Sequence, residues 1–93
     1  MVAKNPKNAL AHFGLANEAL KAELLDEAVE HYRAYLAVQD DEGNAWQRLG
    51  ETLIKLGRKD EARDAFEKGI EAANRFGHPG MAGEIQDLLD ELS

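Results

Sequence analysis

The stretch WQRLGETLIKLGRKDEARDAF, residues 46–66, decides the fold of this chain. From Trp46 onward its apolar residues follow the i, i+3, i+4, i+7 spacing of an amphipathic helix. Gly57 ends that helix, because glycine tolerates the left-handed conformation found at helix C-termini. Asp60 and Glu61 then open a second helix, where their negative charge meets the positive end of the helix dipole. The stretch therefore predicts two helices joined by a tight turn.

The same plan occurs 34 residues earlier in the chain. A shift of 34 positions pairs the tripeptide DEA at 26–28 with DEA at 60–62 and places Leu15 on Leu49 without a gap. The matches coincide with the periodic apolar positions, and a period of this length is typical of stacked helical repeats. The two predicted repeats are residues 9–42 and 43–76.

Each repeat is predicted to be a pair of antiparallel helices, so the fold is expected to be all-α, an αα-superhelix. A fifth amphipathic helix follows, with Pro79 at the favoured first helical position, and it is expected to cap the second repeat. The apolar face of this cap consists of Met81, Ile85, Leu88, Leu89 and Leu92. The predicted helices are 9–22 and 26–39, then 44–56 and 60–75, and finally 79–92.

Composition narrows the classes of function. The chain of 93 residues is long enough for one domain, and its net charge of −7 argues against binding to nucleic acid or anionic membranes. No apolar run approaches the roughly 18 residues that a bilayer span needs. The N-terminal sequence MVAKNPKN lacks the apolar stretch of a signal peptide, so a cytoplasmic location is expected.

The sequence offers no catalytic or metal-binding pattern. Cysteine is absent, which excludes disulfides, thiolate catalysis and cysteine-ligated zinc. The spacing of His12, His31 and His78 places no two of them on one helical face, so no metal site is expected. Carboxylates one turn apart, such as Asp26 and Glu30, are predicted to face water, where a raised catalytic pKa does not arise. We therefore expect neither an enzyme nor a cofactor.

The second repeat carries the residues of a known motif. Trp46-x-x-Leu49-Gly50-x-x-Leu53, followed by Ala62-x-x-x-Phe66, resembles the tetratricopeptide repeat. That family has tyrosine at the position of Leu53 and proline at the position of Asn74. The first repeat is a looser match, with His12 where tryptophan is usual. By this resemblance Trp46 is expected to pack between the two helices of its repeat rather than to present a ligand platform.

Proteins of this family generally bind peptides or other proteins along the concave face formed by the first helix of each repeat. The resemblance therefore implies a non-enzymatic interaction module. The implied groove positions are Leu10, Phe13, Asn17, Leu20 and Lys21 in the first repeat, and Asn44, Gln47, Glu51, Ile54 and Lys55 in the second.

One subfamily holds the terminal carboxylate of chaperones with a clamp of lysine and asparagine. Here Asn17 stands at a clamp asparagine, but Phe13 replaces the clamp lysine and Arg48 replaces the second asparagine. Binding of chaperone tails is therefore not expected, and the identity of the protein partner stays open.

The apolar groove positions also allow a different interpretation, in which the fifth helix or a second chain covers them. Two repeats and one helix bury little continuous core, since such arrays usually need about three repeats. Self-association into a homodimer, or a structural role as a segment of a longer scaffold, is thus the alternative to peptide binding.

Overall fold

The computed structural model describes residues 6–92, with side chains for residues 9–92. Five α-helices and no strand occur in this range, which confirms the all-α prediction. The helices are α1 (Pro6–Lys21), α2 (Leu25–Val38), α3 (Asn44–Lys55), α4 (Lys59–Arg75) and α5 (Pro79–Asp90).

Two helix ends differ from the prediction by more than one residue, and the others agree with it to within one residue. Helix α1 begins at Pro6 rather than at residue 9, because proline lacks the N–H that a first helical turn leaves unpaired. Helix α5 ends at Asp90 rather than at residue 92. There the Leu92 N–H donates to the Leu89 carbonyl, so the chain has tightened into an i to i+3 turn.

Neighbouring helices along the chain pack against each other in turn: α1 on α2, α2 on α3, α3 on α4 and α4 on α5. The buried core runs through this stack and is built around the fully buried side chains of Tyr32, Phe66, Leu49, Leu53 and Ile85. Ile85 belongs to the predicted apolar face of α5, and the rest of that face packs against the same core. Helix α5 thus caps the second repeat.

The two intra-repeat turns have the same geometry despite different residues. Gly57 has a φ of 77°, and the next amide, that of Arg58, donates to the Leu53 carbonyl over 2.9 Å. In the first repeat Glu23 has a φ of 60°, and the Leu24 amide donates to the Ala19 carbonyl over 2.8 Å. Only the second turn has glycine, the residue that adopts a positive φ most readily, at this position.

Gly50, which follows Leu49 in the chain, permits a close approach of α3 and α4. A Cβ atom on Gly50 would overlap the ring of Phe66, which is fully buried. Gly69 plays a similar part, since a Cβ atom there would lie 3.0 Å from the Trp46 Cβ and 3.2 Å from Ile85. These two glycines let α4 pack against α3 on one side and α5 on the other.

A buried carboxylate organises the connection between the repeats. Asp41 is 9% exposed, and its Oδ2 accepts hydrogen bonds from the amides of Gly43 (2.8 Å) and Ala45 (2.9 Å). The Tyr35 hydroxyl donates to Oδ1 over 3.3 Å. Asp41 therefore caps the start of α3 and ties it to α2.

Candidate functional site

A concavity of about 370 Å³ lies between the first helices of the two repeats. Its lining side chains are Leu20 from α1 and Glu51, Thr52, Ile54 and Lys55 from α3. We call these five residues the groove pocket. Four of them, all except Thr52, are groove positions implied by the family resemblance. The structure therefore brings together part of the expected site from both repeats.

The walls of the groove pocket are apolar, while its rim is charged. Leu20 and Ile54 are half-buried and pack against the core with one side. Lys55 is exposed at the end of α3. An apolar pocket with a few polar or charged groups is the usual composition of a ligand-binding site.

A buried hydroxyl connects the groove to the core of the first repeat. The Tyr32 hydroxyl donates to Asn17 Oδ1 over 2.6 Å, which fixes the amide of this expected groove residue. Burial raises the pKa of Tyr32 above its ordinary value, and the nearby Glu51 carboxylate adds to this effect while the Arg48 guanidinium opposes it. The groove surface of α3 thus faces the tyrosine of α2.

Sequence reasoning missed Tyr32 as a groove-associated residue because its repeat position is a core position. The counterpart in the second repeat is Phe66, which has no hydroxyl. The available signal was this hydroxyl, since a buried tyrosine usually finds a hydrogen-bond partner for it.

Phe13 lies closer to the core of the first repeat than a residue that only lines the groove would. Its ring centroid is 5.0 Å from that of Tyr35 and 6.2 Å from that of Tyr32. The ring is therefore partly held by α2, and truncating Phe13 would remove core contacts together with any groove contact. Leu10, by contrast, is 65% exposed.

The remaining expected positions do not line the groove pocket. Lys21 and Asn44 are exposed, at the end of α1 and the start of α3, and Gln47 is half-buried one turn into α3. The structure thus separates a small pocket near the C-terminal ends of α1 and α3 from a more open surface at their N-terminal halves.

Among the described side chains, the cations of the groove helices, like Lys59 of α4, make no salt bridge. Within the described side chains, salt bridges join α2, α4 and the loops, using Arg33, Arg58, Arg63, Lys68 and Arg75. No such bridge involves a described cation of α1 or α3. Those cations are Lys21, Arg48 and Lys55. Their charge is not paired within the described part of the chain.

Trp46 serves packing. It is half-buried, its Cβ lies 3.0 Å from where a Cβ atom on Gly69 of α4 would stand, and the Lys68 ammonium lies 5.6 Å from its ring centroid. Arg33 and Leu36 of α2 line the small depression beside it. The ring therefore sits where α2, α3 and α4 meet.

Comparison with known proteins agrees with this architecture. A tetratricopeptide repeat model matches residues 2–44 and, in a second placement, residues 13–75. The chain belongs to the tetratricopeptide repeat family. It is also 30% identical, over 92 residues, to the TPR repeat-containing protein PA0015 of Pseudomonas aeruginosa, covering 99% of this chain and 88% of that protein.

Tetratricopeptide repeats are generally protein-protein interaction modules, and proteins built from them are generally non-enzymatic scaffolds. Among the helices described for residues 6–92, none combines the length and apolarity that crossing a membrane requires.

Proposed function

We propose that this tetratricopeptide repeat protein binds a peptide segment or a helix of a partner protein along the groove between α1 and α3. The observation that carries the proposal is the groove pocket, in which Leu20 of one repeat faces Ile54 of the next beside Lys55. A bound apolar side chain would remove these half-buried aliphatic surfaces from water, which is favourable in proportion to the area covered.

The charges around the groove suggest the chemistry of the ligand. Lys21, Arg48 and Lys55 of the groove helices make no salt bridge with described residues, although the chain as a whole is acidic and the Glu51 carboxylate lines the groove pocket together with Lys55. A ligand with an apolar anchor next to Asp, Glu or a terminal carboxylate would pair with these cations. Electrostatic complementarity of this kind contributes specificity and association rate more than raw affinity.

Selection of ligands from a random peptide display library tests the proposal, followed by binding measured by fluorescence anisotropy. We expect enriched peptides to carry a large apolar residue beside an acidic one. Leu20→Ser and Ile54→Ser are each expected to weaken binding about tenfold or more, as for central anchor contacts. Circular dichroism checks that each variant keeps its helical content.

A matched pair of lysines supplies the control. Lys55→Glu is expected to weaken binding and its salt dependence, whereas Lys59→Glu, an equal charge change at the exposed start of α4, leaves binding unchanged. Peptides that bind Leu20→Ser and Ile54→Ser as tightly as the unmodified protein would place the binding surface elsewhere.

A second candidate function, self-association, is favoured by a different surface. Leu15 and Leu24 are 49% and 51% exposed and line an end notch of about 270 Å³ on the first repeat. The other residues of this end notch are Glu18, Ala19, Ala22, Glu27 and His31. Analytical ultracentrifugation tests the idea. A dimer that dissociates on Leu15→Lys supports it, and a monomer at high micromolar concentration contradicts it.

A further inference from the structure

Two histidines that are far apart in the sequence meet between the helices of the first repeat. His12 of α1 and His31 of α2 are both half-buried, with their Nδ1 atoms 3.0 Å apart and their ring centroids 5.2 Å apart. Spacing along the sequence gave no hint of this pair, because the two residues lie on different helices. Only the packing of α1 on α2 brings them together.

The pair departs from the way the second repeat fills the same place. The positions 34 residues later hold Trp46 and Ala65, a large apolar ring and a small apolar residue. Ala65 is buried, whereas His31 also lines the end notch and is reached from solvent. An apolar pair fills these positions in the second repeat. Packing alone therefore does not require the two polar rings that the first repeat has there.

The separation of the two nitrogens suits a shared metal ion. Two nitrogen ligands, each about 2.1 Å from one ion and at a right angle to each other, lie about 3.0 Å apart, and at the tetrahedral angle about 3.4 Å. Imidazole nitrogen is a preferred ligand of Cu²⁺, Ni²⁺ and Zn²⁺. The observed distance of 3.0 Å matches the right-angle case, and because the ring centroids lie 5.2 Å apart, nearly in line with the two nitrogens, both rings rotate to aim their lone pairs at the ion.

We propose that Nδ1 of His12 and Nδ1 of His31 together bind one divalent transition-metal ion, which links α1 to α2. In the described side chains no third histidine, cysteine or carboxylate completes a preassembled cluster. Water reaching the end notch fills the other coordination positions. Both Nδ1 atoms must be unprotonated to bind the ion, so the ring that donates the Nδ1–H···Nδ1 hydrogen bond carries its proton on Nε2 instead, and both rings bind as neutral imidazoles.

Isothermal titration with CuCl₂, NiCl₂ and ZnCl₂ tests the site, with MgCl₂ as a hard cation that imidazole binds poorly. We expect one ion per chain, tightest for Cu²⁺. His12→Ala and His31→Ala are each expected to weaken binding by more than about tenfold, since even loss of an outer-shell partner costs that much at metal sites. His78→Ala, which removes an exposed histidine at the start of α5, leaves binding unchanged.

Thermal unfolding gives a second readout that separates metal binding from a folding defect. The ion binds the folded pair, so it raises the Tm of the unmodified protein. The double change His12→Trp with His31→Ala installs the residues of the second repeat, and this variant is expected to fold and to show no Tm rise with metal. Failure of all three ions to bind, or equal binding by the His12→Ala and His31→Ala variants, would overturn the proposal.

Discussion

The two repeats follow one sequence plan but have different neighbours. Leu49 is 1% exposed because α2 packs over its face of α3, whereas its counterpart Leu15 is 49% exposed. Thr52 is fully buried, and its hydroxyl donates to the Arg48 carbonyl over 2.7 Å. Its counterpart Glu18 is exposed. The repeat pattern predicts which residues are buried between the two helices of one repeat. Burial of the outer face of a repeat depends on whether a neighbouring helix packs against it.

The largest expected effect tests this difference between the leucines. Leu49→Ala should lower the free energy of unfolding by about 3 kcal/mol, since it leaves a cavity in the core. Leu15→Ala should cost less than about 1 kcal/mol, because half of that side chain is already in water. Urea denaturation followed by circular dichroism measures both. Equal losses would mean that the two faces are equally covered.

The next effect concerns the joint between the repeats. Asp41→Ala should cost about 2 kcal/mol of unfolding free energy, because two amides and the Tyr35 hydroxyl lose their buried acceptor. Asp40→Ala is the matched control. That carboxylate is exposed and pairs with Arg75 over 2.7 Å, and such surface pairs contribute about 0–1 kcal/mol.

The same urea experiment decides between the two neighbouring carboxylates. A loss for Asp40→Ala as large as that for Asp41→Ala would show that the Arg75 pair, and not the cap of α3, holds the repeats together.

Smaller changes in stability, opposite in sign to each other, are expected at the two intra-repeat turns. Gly57→Ala should destabilise by about 1 kcal/mol, because it places a Cβ atom in the left-handed conformation. Glu23→Gly should stabilise the protein by a similar or smaller amount, since it relieves the same conformation in the first repeat. Thermal unfolding of the two variants measures the contrast. If Glu23→Gly lowers Tm, the added freedom of the unfolded chain outweighs the relief.

The smallest expected effect is a loss of stability at alkaline pH that belongs to the first repeat. Burial raises the pKa of Tyr32 and Tyr35 above the ordinary value of 10.0, and for Tyr35 the Asp41 carboxylate adds to the rise. Because the folded pKa is the higher one, this stability is fully present below pH 10.0 and is lost as the pH rises through the folded values.

Tyr32→Phe, which copies Phe66 of the second repeat, should reduce this alkaline loss. The measurement is Tm against pH, with tyrosinate absorbance followed in parallel. An unchanged alkaline slope in the variant would assign the loss to other groups.

Much of the groove pocket was predictable from the repeat together with the family resemblance. The 34-residue period places Leu20 and Ile54 at equivalent positions of α1 and α3, and the structure finds them in one concavity. Phe13 shares the same helical face, but its ring is also held by Tyr32 and Tyr35 of α2. Periodicity indicates which way a side chain points and leaves open which residue of another helix it meets.

The sequence by itself determined the number of helices, their approximate ends and their order. These depend on local chemistry, namely apolar spacing, the left-handed turn at Gly57 and the first-turn preference of Pro79. Only the tertiary structure decided the cap at Asp41, the burial of Leu49 but not Leu15, and the meeting of His12 with His31. Each of these depends on how far an element is covered or capped by its neighbours, and that coverage is a property of the packed helices rather than of any single segment.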